Sequence, residues 1–289
     1  VRVVSLLKES IVDIGGLSVG PSCPVRTMGV VNLSPESFYG GSVAKDEKDL
    51  VERVKAMIEQ GADLVDVGGA SSSPKNIYER EETSLEEELA RVSSAFRALR
   101  GINAVPMSVD TTSSAVAETA LKLGASLVND ISGLTADPQM VELIAQNDVP
   151  VVLMANCGVD CTSIDISLKS LRRSLGIAAD AGIPENRIIV DPGMGFGKPP
   201  EVDFAILRGL RLFTYFRRPL LVGLSRKAFI GSCLNQQEAA SRLLGSVSAT
   251  SLAVYNGADM IRTHDVSETL IAIRIGEATR GTPVDRSED

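Results

Sequence analysis

"QGADLVDVGG", residues 60–69, sets a helix end against a strand start, and the arrangement returns as "LGASLVNDISG" at 123–133 and "NGADMIRTHD" at 256–265. In each copy a Gly is placed to stop a helix in the left-handed conformation, Ala follows, and a short β-branched or Leu-rich run begins. The flanks agree with this. Leu50, Val51, Val54, Met57 and Ile58 recur at helical spacing before the first copy, and Leu64, Val65 and Val67 form a short buried run inside it. The internal repeat reads helix, then strand, several times over.

The same criteria predict strands near 27–33, 63–68, 105–110, 126–131, 150–155, 188–192, 219–224 and 260–264. Helical patterns fall near 46–60, 84–99, 112–123, 137–147, 166–181, 201–213, 236–255 and 267–279, one after each strand. Nearly all-apolar strands alternating with helices imply a parallel sheet covered by helices, and the eight units fit one α/β domain, a closed (β/α)8 TIM barrel of roughly 250 residues. An open doubly wound sheet is the alternative, although no GxGxxG follows the first strand. Residues 1–25, with "VDIGGLSVGPSCPV" turning on Gly and Ser, are expected to form an N-terminal hairpin over the barrel bottom. The barrel is expected over 26–282, with a flexible tail at 283–289.

Composition excludes several functions. With a formal charge of −8, pI near 4.9 and no basic run, the chain is not expected to bind nucleic acid. No apolar segment approaches the ~18 residues of a membrane span, and no leader is visible, so a cytoplasmic location is the expectation. Cys23, Cys157, Cys161 and Cys233 are scattered and contain no CxxC; they are expected to be reduced thiols.

In a barrel of this kind the residues leaving each strand at its C-terminal end line the active site. Those positions are unusually polar: Asn32, Gly68 and Gly69 followed by Ser71 to Ser73, Asp110, Asn129 and Asp130, Asn156, Asp191, Ser225 to Lys227, and Arg262 with the lone histidine, His264. A single strand-end Asp or Asn is ordinarily the cap of the next helix. Eight such positions converging on one mouth indicate a site. No nucleophile elbow and no transition-metal ligand spacing accompany them, which argues against covalent hydrolysis and zinc catalysis. Basic residues in "SRK" (225–227) and "RTH" (262–264) stand where such barrels hold phosphate, so an anionic ligand is expected there. "GMGFGK" has the spacing of neither a P-loop nor a dinucleotide loop.

"MGVVNLSPESFYGGS" (28–42), "VDVGGASSSP" (65–74), "SVDT" (108–111), "NDISG" (129–133), "DPGMGFGK" (191–198), "GLSRKAFIG" (223–231) and "IRTHDV" (261–266) resemble, in order, the motifs of the dihydropteroate synthase family. The resemblance spans nearly the whole chain. It implies a pterin-binding barrel that joins 6-hydroxymethyl-7,8-dihydropterin diphosphate to an arylamine, with release of diphosphate, help from Mg2+, and dimerisation through late helices. It further implies Asp110, Asp191 and Lys227 as catalytic residues and Asn32 as the contact to Mg2+. Asn129, Phe196, Met154, Ser72, Ser225, Arg226, Arg262 and His264 are the implied substrate contacts. Asp191 suits the adjacent N–H and NH2 of a pterin edge, which a carboxylate accepts in pairs.

The two loops expected to close over the second substrate depart from the family pattern. "SFYGGS" stands for the usual "SFSDGG", with Gly40 at the acidic position, and "GGASSSPK" for "GGESTRPG", with Ser72 for Thr and Ser73 for Arg. After the fifth strand "MANCG" replaces a more usual "MHMxG". Either Lys75 supplies the missing charge or the amine differs from p-aminobenzoate, for instance a ribosyl phosphate derivative. Two other readings stay open, a pterin-dependent corrinoid methyltransferase and a non-catalytic pterin-binding homologue.

Overall fold

Gly61, Gly124 and Gly257, the stops of the three repeats, take φ of 96°, 109° and 109°, where a side chain would be strained. The next N–H then reaches back five residues, Ala62 to the Met57 carbonyl at 2.9 Å, Ala125 to Ala120 at 2.9 Å and Ala258 to Ala253 at 3.0 Å, closing each helix by the Schellman pattern. One residue further, the chain hooks onto a neighbouring strand. Asp63 donates its N–H to the Thr27 carbonyl at 2.9 Å and accepts the Thr27 N–H on Oδ2 at 2.6 Å. Asp259 does the same with Leu220, at 2.9 Å for both bonds. The first and third repeats are therefore a helix stop joined to a strand-entry clip, while in the second Ser126 donates its N–H to the Met107 carbonyl at 2.8 Å.

These observations come from a computed structural model that describes residues 10–34, 39–71, 83–102 and 104–281. The first nine residues of the expected hairpin segment and the expected tail at 283–289 lie outside the described residues. A two-stranded antiparallel hairpin, β1 (Val12–Ile14) and β2 (Leu17–Val19), comes first. Eight strands follow: β3 (Arg26–Asn32), β4 (Leu64–Gly68), β5 (Met107–Asp110), β6 (Leu127–Asp130), β7 (Val151–Met154), β8 (Ile188–Asp191), β9 (Leu221–Gly223) and β10 (Met260–Thr263). All neighbours are parallel, in the order β8-β7-β6-β5-β4-β3-β10-β9. A parallel bridge between Val190 and Leu220 joins the two ends, with the Val190 N–H on the Pro219 carbonyl at 2.9 Å. The sheet closes into the expected barrel, so no edge is left for another chain to pair with.

Outside it lie α1 (Glu47–Glu59), α2 (Leu85–Leu99), α3 (Ser114–Lys122), α4 (Pro138–Asn147), α5 (Ile164–Asp180), α6 (Pro200–Arg208), α7 (Ala228–Leu234), α8 (Leu243–Tyr255) and α9 (Val266–Arg280). Local chemistry sets their starts. Ser84 and Glu87 exchange hydrogen bonds in a capping box at α2, and Asp46 accepts the Asp49 N–H at 2.8 Å at α1. The helix expected over 236–255 begins only at Leu243, because the buried Arg242 guanidinium takes the carbonyls of Gln236, Gln237 and Arg226 as acceptors and holds the preceding segment off the helix. α7 was not anticipated. The pattern at 201–213 likewise divides at Gly209 into α6 and a 3-10 turn, Leu210–Phe216. Among the described residues no helix is long and apolar enough to cross a membrane.

Alternation along the strands decides what faces inward. Val65, Val67, Val109, Val128, Val190 and Ile261 pack outward among the helices. Met28, Leu64, Leu127, Val152, Ile189, Leu221 and Met260 form a separate inner cluster with Val12, Ile14 and Val19 of the hairpin. Two residues along the same inward rows stand Val30, Asp66, Asn129, Met154, Asp191, Gly223 and Arg262, and there four of the seven positions turn polar.

Candidate active site

Arg262 is the hub of that polar level. Its Nε donates to Asp66 Oδ2 at 2.7 Å and its Nη2 to Asp110 Oδ2 at 2.8 Å, so one guanidinium bridges two buried carboxylates. Asp66, fully buried, also accepts the Ser108 hydroxyl and, at 3.1 Å, the Asn129 amide. Register explains the grouping: Gly68 is level with Asp110, Asp110 with Asn129, and Met154 with Asp191. Burial drives the Asp110 carboxyl up to about 7 against the pull of Arg262, and Asp66 and Glu88 push it the same way as burial.

Asp191 ends β8 with Oδ1 accepting the Gly193 N–H at 2.7 Å, and burial raises its pKa despite that bond and the charge of Lys227. Lys227 enters from beyond β9, its ammonium 3.9 Å from the centroid of the Phe196 ring, a cation–π contact. Burial and the Arg262 charge bring Lys227 down to about 8, although Asp191 and Asp203 oppose them. The loop carrying Phe196 needs its glycines for space as well as conformation: a Cβ on Gly195, at φ 74°, would lie 2.6 Å from Lys227 Cδ. Two unforeseen residues brace this loop from behind. Lys198, buried, donates to the Gly193 carbonyl, and Asp203 accepts the Gly195 N–H at 2.9 Å. Two loop N–H groups thus meet carboxylates, and this is not an anion-binding nest.

Toward β9 and β10, the Ser225 hydroxyl bonds His264 Nδ1 at 2.9 Å and accepts the His264 backbone N–H at 3.2 Å. Burial, then the cations Arg262, Lys227 and Arg226, depress His264 to about 3, so the ring is neutral in ordinary buffers. Arg226, expected to touch substrate, has its donors committed elsewhere: Nε and Nη2 reach Asp265 at 3.0 and 2.7 Å, and Nη1 the Ala239 and Ala240 carbonyls. Asn32 ends β3, half-buried, and Met154 ends β7, 1% exposed. Ser72, with Ser73 and Lys75, lies outside the described residues.

One expectation is overturned. Cys157 and Cys161, read as reduced thiols, form a disulfide in the loop after β7. A 3-10 turn, Gly158–Asp160, brings their Cα atoms to 5.2 Å, within bridging range. Cys23 and Cys233 are free.

Asp66 is the residue that a reading of strand ends misses. It sits mid-strand in "LVDVG", yet two residues after the inward Leu64.

The chain matches the model of a family described as pterin binding enzyme over residues 28–264. It is 38% identical over 253 residues to the dihydropteroate synthase of Clostridium beijerinckii, covering 86% of this chain and 91% of that one. It is 37% identical over 273 residues to that of Escherichia coli K12, covering 91% and 94%. Among solved structures, dihydropteroate synthase of Xanthomonas albilineans with 4-aminobenzoic acid superposes with TM-score 0.84 at 34% identity, covering 96% of this chain and all of that one. The Yersinia pestis enzyme with a sulfonamide drug complex gives TM-score 0.84 at 34% identity, covering 94% and 99%. With the family model, the sequences and the superpositions in agreement, this chain belongs to the pterin-binding enzymes, among the transferases of the dihydropteroate synthase family.

Proposed function

We propose that the chain condenses 6-hydroxymethyl-7,8-dihydropterin diphosphate with an arylamine, p-aminobenzoate or a derivative, and releases diphosphate. The observation that carries this is the ring of buried charge at the barrel mouth, in which Asp191, Asp110, Asn129 and Lys227 surround the Arg262 bridge. Asp191 accepts the paired N–H groups of the pterin edge, since one carboxylate has room for them beside the Gly193 N–H. Asn129 and Asp110 complete the ring's partners, Lys227 donates to its acceptors, and Phe196 and Met154 supply apolar cover. The substitution takes place at the exocyclic methylene: the amine nitrogen bonds to that carbon, the carbon–oxygen bond to diphosphate breaks, and the nitrogen loses a proton. No enzyme nucleophile is needed. The carboxylates stabilise the electron-poor pterin, while Arg262, His264 and Ser225 meet the leaving group.

Mg2+ fits this donor set only as an ion that arrives with the diphosphate. Among the described residues no three His, Cys, Asp or Glu side chains are grouped to hold a metal, and Asn32 offers a hard amide oxygen beside the phosphate end. Bound there, Mg2+ would neutralise leaving-group charge. Ser72 and the loop beyond it are assigned to the amine. Arg226 is a support that fixes Asp265 and Ser225 rather than a substrate contact. The division into a capping hairpin (1–25) and a barrel (26–282) goes with this reading, as does a homodimer through α8 and α9, whose Leu244, Leu252, Ile271 and Ile275 are 79%, 54%, 62% and 59% exposed. Light scattering at micromolar concentration tests the dimer, and a monomer rejects it.

The decisive experiment supplies the pterin diphosphate with each candidate arylamine and weighs the product. A condensed product and equimolar diphosphate are expected. Pterin binding without product from any amine would support a non-catalytic homologue instead.

A further inference from the structure

The chemistry above makes no use of Tyr39, which replaces the Ser of the usual "SFSDGG" loop. Its ring centroid lies 4.4 Å from the Arg226 guanidinium carbon and 5.3 Å from the His264 ring, edge to face at 66°. The plate beneath it is fixed. Arg226 is held by Asp265 and by two carbonyls, its backbone N–H by the Ser246 hydroxyl at 2.8 Å, and His264 by Ser225. Gly41 makes room for the ring: a Cβ there would fall 2.6 Å from Tyr39 Cζ and 2.7 Å from its hydroxyl. Gly41 is not among the positive-φ residues, so its missing side chain serves the tyrosine and not the backbone.

We propose that Tyr39 is a positioning residue for the leaving-group end of the site: it anchors residues 39–41 on the Arg226–Asp265 plate and holds the His264 ring in the plane from which it meets diphosphate. This rests on the assignment of His264 and Arg262 to diphosphate. A desolvated cation–π contact together with an edge-to-face aromatic contact corresponds to roughly 5- to 20-fold in affinity. The aromatic ring carries the effect, not the hydroxyl.

The test titrates inorganic diphosphate with Mg2+ into the full chain and follows the ring signals of its single histidine by NMR. Tyr39→Ala is expected to weaken diphosphate binding roughly 5- to 20-fold, to raise KM for the pterin diphosphate more than it lowers kcat, and to shift the His264 ring signals as the neighbouring ring current is lost. Tyr39→Phe should recover most of the affinity and leave the signals near their parent positions. Gly41→Ala keeps the phenol but expels it, and should resemble Tyr39→Ala. Affinity for a pterin without diphosphate, which a merely unstable variant would lose, should stay at the parent value in all three. If Tyr39→Ala binds diphosphate like the parent, or Tyr39→Phe is as weak as Tyr39→Ala, the proposal is overturned while the diphosphate assignment stands. If the parent itself does not bind diphosphate, the assignment fails and the proposal with it.

Discussion

Two levels of one barrel interior, two residues apart on the same strands, obey opposite rules. At the lower level Met28, Leu64, Leu127, Val152, Ile189 and Met260 are wholly buried under the hairpin residues Val12, Ile14 and Val19. At the upper level four of the same rows present Asp66, Asn129, Asp191 and Arg262, and the other two Val30 and Met154. Removing apolar side chains from water stabilises the fold by about 1.5–3 kcal/mol each. Removing charges costs several kcal/mol per ion unless each is paired. The lower level therefore holds the strands in the register that the upper level needs, and the upper level sets buried carboxylates and a guanidinium against one another at the mouth.

Arg262 is where breaking that relation should be most costly. Its removal leaves Asp66 and Asp110 without their shared counter-ion, and Arg262→Ala should cost about 3–5 kcal/mol of stability. It should also weaken diphosphate binding roughly 10- to 100-fold. Urea unfolding and titration read the two effects separately. Asp110, raised to about 7, keeps a proton that the unfolded chain releases near its ordinary value of 3.8. Its contribution is thus full below pH about 4 and lost as pH rises through about 7. Asp110→Asn should accordingly gain stability relative to the parent across that interval, and a difference that stays flat with pH would contradict the assignment.

Leu64→Ala and Asp191→Ala separate the two levels directly. The first opens a cavity under the site and should cost about 2–5 kcal/mol, with pterin affinity unchanged in the folded fraction. The second should leave urea unfolding nearly unaltered and weaken a pterin analogue roughly 30- to 1,000-fold, about 2–4 kcal/mol for a charged bidentate acceptor. If Leu64→Ala loses pterin as severely as Asp191→Ala, the two levels are not separable.

His264 stands at the rim of the upper level, and its effect should be smaller. With its pKa pushed down to about 3 by burial and three neighbouring cations, its ring is neutral near pH 7, and the proposed role is that of a hydrogen-bond donor. His264→Ala should weaken diphosphate by about 1.5–3 kcal/mol, while His264→Gln retains much of the activity. A pH–rate profile of the parent with a limb near 6–7 that disappears in His264→Gln would restore an acid–base role.

Sequence pattern disclosed the barrel because Gly61, Gly124 and Gly257 enforce a local rule: a residue past a helix end that needs positive φ announces itself. It marked Asp110, Asn129, Asp191 and Lys227 as candidates because strand ends are where a barrel displays function. Asp66 was legible in principle from the period of two that begins at Leu64, but mid-strand it resembles a break in an apolar run. Other features depend on side chains meeting across loops. The bond between Cys157 and Cys161 needs the intervening 3-10 turn. The commitment of Arg226 to Asp265 joins residues 39 apart. Lys198 and Asp203, behind the glycine loop, follow no spacing that marks them in advance.

The smallest effect belongs to the repeat itself, at the bottom of the barrel. Gly124 has open space where a Cβ would stand, whereas at Gly61 a Cβ would fall 2.9 Å from Leu270 Cδ1. Both have positive φ, so alanine at either position carries the backbone cost of about 1 kcal/mol, and only Gly61→Ala adds displacement of a packed leucine. Gly124→Ala should lower the unfolding free energy by about 1 kcal/mol, Gly61→Ala by more, and neither should alter pterin affinity, because both lie below the apolar level. A loss of several kcal/mol in Gly124→Ala would mean that the helix stop does more than set φ, while no loss would mean that the Schellman closure at Ala125 tolerates a side chain there and that the Ser126 N–H bond to the Met107 carbonyl fixes the junction.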